Sequence, residues 1–169
     1  ILRYLRDSLG TTPWVENGTY FVTPLTDQLE VIEDNLRYIK LHLPFKLNTD
    51  WKGNIYLSDY PYASLYTFSN DEGMNDWDFN LESFDQSRSI GGQTINDVYT
   101  VYQMDDALNA PVTDFSTGGW RTLAIERYAK NIGLVTRDLI LWEYQPNQNG
   151  VGVGYKTGFG IKMWMIDHN

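Results

Sequence analysis

The chain has 169 residues, of which 42% are hydrophobic, and its formal charge at pH 7 is -9. A chain of this length can bury about 70% of the surface that it exposes when unfolded, so the composition predicts a single globular domain over residues 1-169. The negative charge offers no basic surface to a phosphate backbone and therefore disfavours nucleic acid as a partner.

The N-terminal residues predict short strands. Leu2–Arg6 alternates as an edge strand does, and it ends at a polar, glycine-containing stretch. A second strand region covers Trp14–Val22, where the pair Asn17-Gly18 has the composition of a tight hairpin turn. We therefore expect this region to fold back on itself at Asn17-Gly18.

Residues 25-43 fit two different structures. Leucine and isoleucine recur at steps of four and three, which is the spacing of one helix. The same stretch can also form two strands, over residues 29-33 and 37-43, around the turn-prone pair Asp34-Asn35. We favour the two strands and keep one helix near residues 25-43 as the alternative.

The clearest pattern is the strict alternation of polar and apolar residues from Asp76 to Glu82, which is typical of a half-buried strand. Similar alternation recurs toward the C-terminus, separated by glycine-rich turns such as Gly91-Gly92 and the pair Asn131 and Gly133. Together these patterns predict a mainly β, antiparallel fold. The later strands are predicted at Trp77–Phe84, Asp97–Met104, Thr122–Tyr128, Leu134–Tyr144 and Gly160–Ile166.

The sequence carries no motif for a cofactor, a metal ion or a catalytic nucleophile. It contains no cysteine, and its two histidines lie far apart. Asp76, Asp78 and Asn80 have the first spacings of a calcium loop, but Leu81 stands where that loop requires glycine. A solvated acidic face explains these carboxylates better, so we predict no cofactor, no metal site and no catalytic residue.

Aromatic residues are the best candidates for ligand contact, since the chain holds 6 Trp, 12 Tyr and 7 Phe. Tyr60, Tyr62 and Tyr66 flank a proline in a predicted loop, where packing and ligand contact are both open interpretations. Trp77 begins the most regular strand, and packing explains it better than ligand contact. These four residues form the predicted ligand-binding set.

A pair of carboxylates for glycoside hydrolysis is a further alternative, because acidic residues that are far apart in sequence can converge in space. With 22 acidic residues, some pair approaches by chance, so structural or solvated carboxylates are the better interpretation. The residues in question are Asp105, Asp106, Glu126, Asp138 and Glu143.

Three stretches, Asp34–Pro44, Trp51–Asn54 and Tyr128–Val135, resemble a family of uncharacterised envelope lipoproteins of Bacteroidota. The resemblance extends loosely over most of the chain, and Tyr128–Val135 is its most distinctive part. In Trp51–Asn54 we expect Trp51 to anchor a turn while Gly53 and Asn54 adopt backbone angles that other residues resist.

The resemblance implies an exported protein of the cell envelope or periplasm. It implies membrane contact only through a lipid on an N-terminal cysteine, which this sequence does not contain. It also implies a single curved antiparallel sheet or half-barrel, whose concave face is apolar.

We therefore expect a non-enzymatic envelope protein that binds a lipophilic small molecule or a protein partner on this concave face. The first alternative is a glycan-binding module that uses exposed aromatic residues, and the second is a carboxylate-dependent hydrolase.

Overall fold

A computed structural model describes residues 1–66, 68, 73–147 and 152–168. Within them the fold is mainly β and antiparallel, as predicted, and its helical structure is one 3-10 turn at Met74–Asp76. The strands are β1 (Leu2–Leu5), β2 (Val15–Thr19), β3 (Phe21–Pro24), β4 (Gln28–Glu33), β5 (Leu36–His42), β6 (Asp50–Trp51), β7 (Phe79–Ile90), β8 (Gln93–Leu108), β9 (Gly119–Ala129), β10 (Gly133–Gln145) and β11 (Tyr155–Trp164).

The strands of the described residues form three open sheets, where the sequence predicts one. β1 pairs with β2, β3 to β5 form a three-stranded sheet, and β6 to β11 form a six-stranded sheet in chain order. Each strand of the large sheet pairs with its sequence neighbour, so local hairpins set the register. A backbone hydrogen bond joins β5 to the segment that follows β6: the Ile39 amide donates to the Gly53 carbonyl at 2.7 Å.

Residues 25-43 form the two favoured strands, so the helical alternative is wrong. Asp34 and Asn35 have φ angles of 50° and 63°, the left-handed conformation that a tight hairpin turn requires. The register slips by one residue because Lys40 is an extra residue in β5, which forms a bulge opposite β4. This bulge lets the adjacent Lys40 and Leu41 both be buried, which alternation alone does not allow.

The predicted hairpin turn at Asn17-Gly18 is wrong. Both residues lie inside β2, where Asn17 is the extra residue of a bulge opposite β1. Of the pair only Gly18 has a positive φ angle, 139°, and the extra residue forms a bulge within the strand rather than a chain reversal. By contrast, Gly91-Gly92 and the Asn131 to Gly133 segment connect neighbouring strands through positive φ angles, as predicted.

The main core lies between the three-stranded sheet and one face of the six-stranded sheet. Tyr38 and Leu41 of β5 contribute to it from one side, and buried residues of β7 to β10 contribute from the other. A smaller cluster fills the end of the large sheet near the turn between β7 and β8. The members from the large sheet and the segment before it are Trp77, Phe79, Leu81, Val101, Ala124, Tyr128 and Leu141.

Gly53 is required for a reason that differs from the predicted one. Neither Gly53 nor Asn54 adopts a positive φ angle, so the expectation of special backbone angles is wrong. A Cβ atom on Gly53 would lie 2.3 Å from the ring of Phe79, which is fully buried and packs edge-on against Trp51. Trp51 does anchor the segment in the core, as expected, and its indole N–H donates to the carbonyl of Ile39 at 2.9 Å.

We predict that Gly53→Ala lowers the free energy of unfolding by about 1–3 kcal/mol, because the Phe79 ring must shift in a closely packed core. Gly160→Ala in β11 is the control, since its Cβ would meet no atom closer than 3.8 Å. Urea unfolding of both variants measures the difference. Equal stability of the two variants would show that Phe79 does not impose glycine at position 53.

Candidate functional site

A cavity of about 420 Å³ lies where the loop that precedes β7 meets the inner face of β8, β9 and β10. This volume falls within the range of small-molecule sites in proteins. Its walls are mostly apolar, and aromatic residues predominate. The lining residues are Asp59, Tyr60, Pro61, Tyr62, Ala63, Tyr66, Phe68, Met74, Trp77, Met104, Asp106, Trp120, Thr122, Leu141 and Trp142.

All four residues of the predicted set line this cavity. Tyr60 is 48% exposed, Tyr62 and Tyr66 are half-buried, and Trp77 is 2% exposed. Two successive turns bring the tyrosines together, since the amides of Leu65 and Tyr66 both bond the Tyr62 carbonyl at 2.9 Å. The loop thus presents three rings toward one space, while Trp77 forms part of the core beneath it.

The aromatic rings of this loop are fixed by contacts with each other and with β11. Phe159 lies 5.1 Å from Tyr62 and 5.3 Å from Tyr66, measured between ring centroids. Tyr66 also stacks on Phe68 at 6.0 Å. Such packing holds the rings in place before any ligand binds, which reduces the entropic cost of binding.

The opposite wall of the cavity was missed by the sequence-based prediction. In the register of the large sheet, Asp106 is opposite Thr122 and Thr122 is opposite Leu141, so their side chains share one face. Trp120, two residues before Thr122, extends the same row. The alternation of β9 could have indicated this wall. Ala124 and Tyr128 lie in the core, and Thr122 and Trp120 continue the same series of alternate residues.

The charged groups of the cavity are acidic. Asp59 and Asp106 belong to its lining, and the described lining residues include no lysine, arginine or histidine. The indole N–H of Trp120 donates to a carboxylate oxygen of Asp106 at 2.6 Å. Arg121 is opposite Trp142 in the register, which places its side chain on the other face of the sheet from Thr122.

A smaller cavity of about 170 Å³ contains a buried network of charged residues centred on Glu126 of β9. Its carboxylate accepts hydrogen bonds from Lys40 Nζ at 2.9 Å, Gln103 Nε2 at 2.9 Å, the Tyr128 hydroxyl at 2.6 Å and Arg137 Nε at 2.7 Å. Four donors on one buried carboxylate satisfy its charge and fix its position.

Two of these donors depend on β-bulges. Lys40 is the extra residue of β5, and Gln103 is the extra residue of β8, opposite the step from Ile125 to Ala124 of β9. A bulge redirects one side chain out of the regular alternation. Both bulges thereby turn a polar side chain toward Glu126.

The network links the three sheets. Arg137 of β10 also donates to Glu33 of β4 at 2.8 Å, and Glu33 lies 3.6 Å from Arg3 of β1. Burial by itself raises the pKa of Glu126, but the charges of Lys40 and Arg137 and the hydrogen bonds outweigh it and lower that pKa to about 2. Burial likewise opposes ionisation of Glu33, and its bond to Arg137 reverses the effect and lowers its pKa.

Three of the carboxylates considered for hydrolysis are distributed over the two cavities. Glu126 and Asp138 both line the smaller cavity, but the lowered pKa of Glu126 is opposite to what a general acid requires. Asp138 lies 3.6 Å from Arg127, and Asp105 is paired with Arg121. Asp106 lines the larger cavity, and Glu143 is buried.

Within residues 1–66, 68, 73–147 and 152–168, no group of three or more His, Asp or Glu residues is placed to hold a metal ion. Asp76 and Asp78, which suggested the start of a calcium loop, both pair with Lys52, at 2.9 Å and 3.0 Å. Asp71 and Glu72, the other acidic residues near them, lie outside the described residues. None of the described residues belongs to a helix that is long and apolar enough to span a bilayer.

Comparison with known proteins gives no match: no family model, no curated protein and no solved structure is significantly similar to this chain. The resemblance to Bacteroidota envelope lipoproteins therefore stays a prediction from the sequence.

We predict that Glu126→Gln lowers the free energy of unfolding by about 3–5 kcal/mol, because Lys40 and Arg137 lose their shared buried counter-charge. The double variant Lys40→Met with Glu126→Gln should regain part of this loss, since one cation is removed with the anion. Chemical denaturation of the wild type, the single variant and the double variant measures both steps. A double variant less stable than Glu126→Gln alone would contradict this account.

We also predict that acid destabilises the protein through Glu126. The pKa of Glu126 is about 2 in the folded protein and has the ordinary value of 4.5 in the unfolded chain. At a pH between these two values, the unfolded chain therefore binds a proton more readily than the folded protein. The free energy of unfolding should therefore fall as the pH decreases from about 4.5 to about 2. In denaturation curves over this range the wild type should show a steeper decrease than the Lys40→Met, Glu126→Gln double variant, and equal slopes would refute the assignment.

Proposed function

We propose that this chain is a non-enzymatic binding protein of the bacterial cell envelope and that it holds a lipophilic small molecule in the 420 Å³ cavity. The observation that carries the proposal is the convergence of Tyr60, Tyr62, Tyr66 and Trp77 on one cavity with the apolar inner face of the large sheet. The binding free energy of an apolar ligand is most favourable where rings and aliphatic side chains surround it and exclude water.

The packing of the rings favours an enclosed ligand over a surface-bound glycan. Sugar stacking needs exposed aromatic faces, whereas Trp77 is buried and Tyr66 is stacked on Phe68. Tyr60, at 48% exposed, is the most accessible ring of the predicted set and lies at the rim. A flat glycan therefore finds fewer usable rings here than an apolar molecule that enters the cavity.

The three-stranded sheet also favours a small ligand over a protein partner. Tyr38, Lys40 and Leu41 of β5 already cover part of the inner face of the large sheet. The remaining part of this face, around Thr122 and Leu141, lines the cavity together with Tyr60, Tyr62 and Tyr66. The cell-envelope location is supported by the sequence resemblance described above.

We predict that Tyr66→Ala weakens the binding of a neutral lipophilic probe, N-phenyl-1-naphthylamine, by about tenfold or more, because a lining ring is lost. Tyr155→Ala is the matched control, since Tyr155 is 65% exposed and does not line the cavity. Probe fluorescence measures both affinities. Absence of probe binding to the wild type, or equal weakening by both substitutions, would contradict the proposed function.

A further inference from the structure

We infer that the ligand of this cavity carries a positively charged ammonium group on an apolar body. The inference rests on the proposed function, because it assigns a chemical class to the ligand of the same cavity. Three properties of the site lead to it: the sign of its charge, the state of its carboxylates and two lining rings, of Tyr60 and Trp120, over which no described cation lies.

The carboxylates of the cavity lack a basic partner. Among the described residues neither Asp59 nor Asp106 forms an ion pair, and no basic residue lines the cavity. Asp105, which directly precedes Asp106, is paired with Arg121 on the opposite face of the sheet. Successive residues of β8 face opposite sides of the sheet, so Asp106 faces the cavity while Asp105 pairs with Arg121 on the other side.

The carboxylate of Asp106 is held in position for a ligand. Trp120 Nε1 donates to Oδ2 at 2.6 Å, and this single donor leaves the other carboxylate oxygen able to accept a further bond. A neutral ligand that covers this carboxylate removes water without replacing the lost interaction, and an anionic ligand meets repulsion. A cationic head avoids both costs.

The aromatic rings complete the match. Cations lie over rings at five places in the described residues, and one of these rings belongs to the cavity lining: Lys156 Nζ lies 3.5 Å from the ring centroid of Trp142. No cation and no other ring packs on Tyr60 or Trp120 among the described residues, so the negative faces of these two lining rings are left for a ligand. Aromatic residues beside carboxylates are the arrangement that binds substituted ammonium groups in proteins.

An organic cation fits this site better than a metal ion. Two carboxylates do not supply the six or more oxygen ligands that calcium takes, and the walls between them are apolar. The apolar walls instead suit the body of a lipophilic amine, and the net charge of -9 attracts cations to the protein from a distance.

The test is displacement of N-phenyl-1-naphthylamine from the full chain by two compounds of the same shape. Benzyltrimethylammonium carries the charge, and neopentylbenzene has carbon in place of the nitrogen. We expect the cation to bind about tenfold more tightly than its neutral analogue. Asp106→Asn and Asp59→Asn should each reduce this ratio of affinities, whereas Glu16→Gln, an equal change of net charge at an exposed residue of β2, should preserve it.

The outcomes separate the inference from the proposed function. Equal binding of the two compounds, or a ratio that Asp106→Asn and Asp59→Asn leave unchanged, overturns the cationic ligand while a lipophilic site remains. Failure of the probe and of both compounds to bind overturns the lipophilic site as well. A ratio that falls equally in the Glu16→Gln control assigns the preference to net charge and also overturns the inference.

Discussion

The fold depends on the neutralisation of one buried carboxylate. Glu126 is 2% exposed at the centre of the large sheet, and an isolated carboxylate there would cost several kcal/mol. Lys40 comes from the three-stranded sheet and Arg137 from the neighbouring strand of the large sheet, so the charge is satisfied only when the two sheets are docked. Arg137 also holds Glu33, and Glu33 lies 3.6 Å from Arg3, so the two anions Glu126 and Glu33 are surrounded by three cations.

This requirement gives the sheet packing one defined register. Hydrophobic faces alone tolerate sliding, whereas the hydrogen bonds from Lys40 to Glu126 and from Arg137 to Glu33 join the two sheets at defined positions. The inner face of β9 continues from Glu126 through Ala124 to Thr122 and Trp120, which line the larger cavity. Fixing the position of β5 over Glu126 therefore also fixes where the covering sheet ends and where the cavity begins.

The sequence predicts the regular part of this structure well, because period-two alternation reflects one buried and one exposed face. Strands β7 to β11 and the turns at Asp34-Asn35 and Gly91-Gly92 follow from such local signals, whereas the short strand β6 was not predicted. Bulges are different, since an extra residue changes which side chains are buried without changing composition. For this reason the burial of Lys40 and Gln103, and with it the network around Glu126, could not be inferred from alternation.

The candidate site was predicted in the same uneven way. Tyr60, Tyr62 and Tyr66 are recognisable because aromatic residues clustered in a loop are unusual, and they do line the cavity. Trp120 and Asp106 lie in ordinary strand patterns, and only the pairing of β8 with β9 brings them opposite the tyrosine loop.

The strand wall changes the chemistry inferred for the site. The loop presents rings suited to many apolar molecules together with Asp59, and in the proposed site the strand wall adds a second carboxylate, Asp106, which Trp120 orients. The proposed preference for a cation thus depends on both walls, and the carboxylate that Trp120 orients comes from the wall that long-range strand pairing assembles.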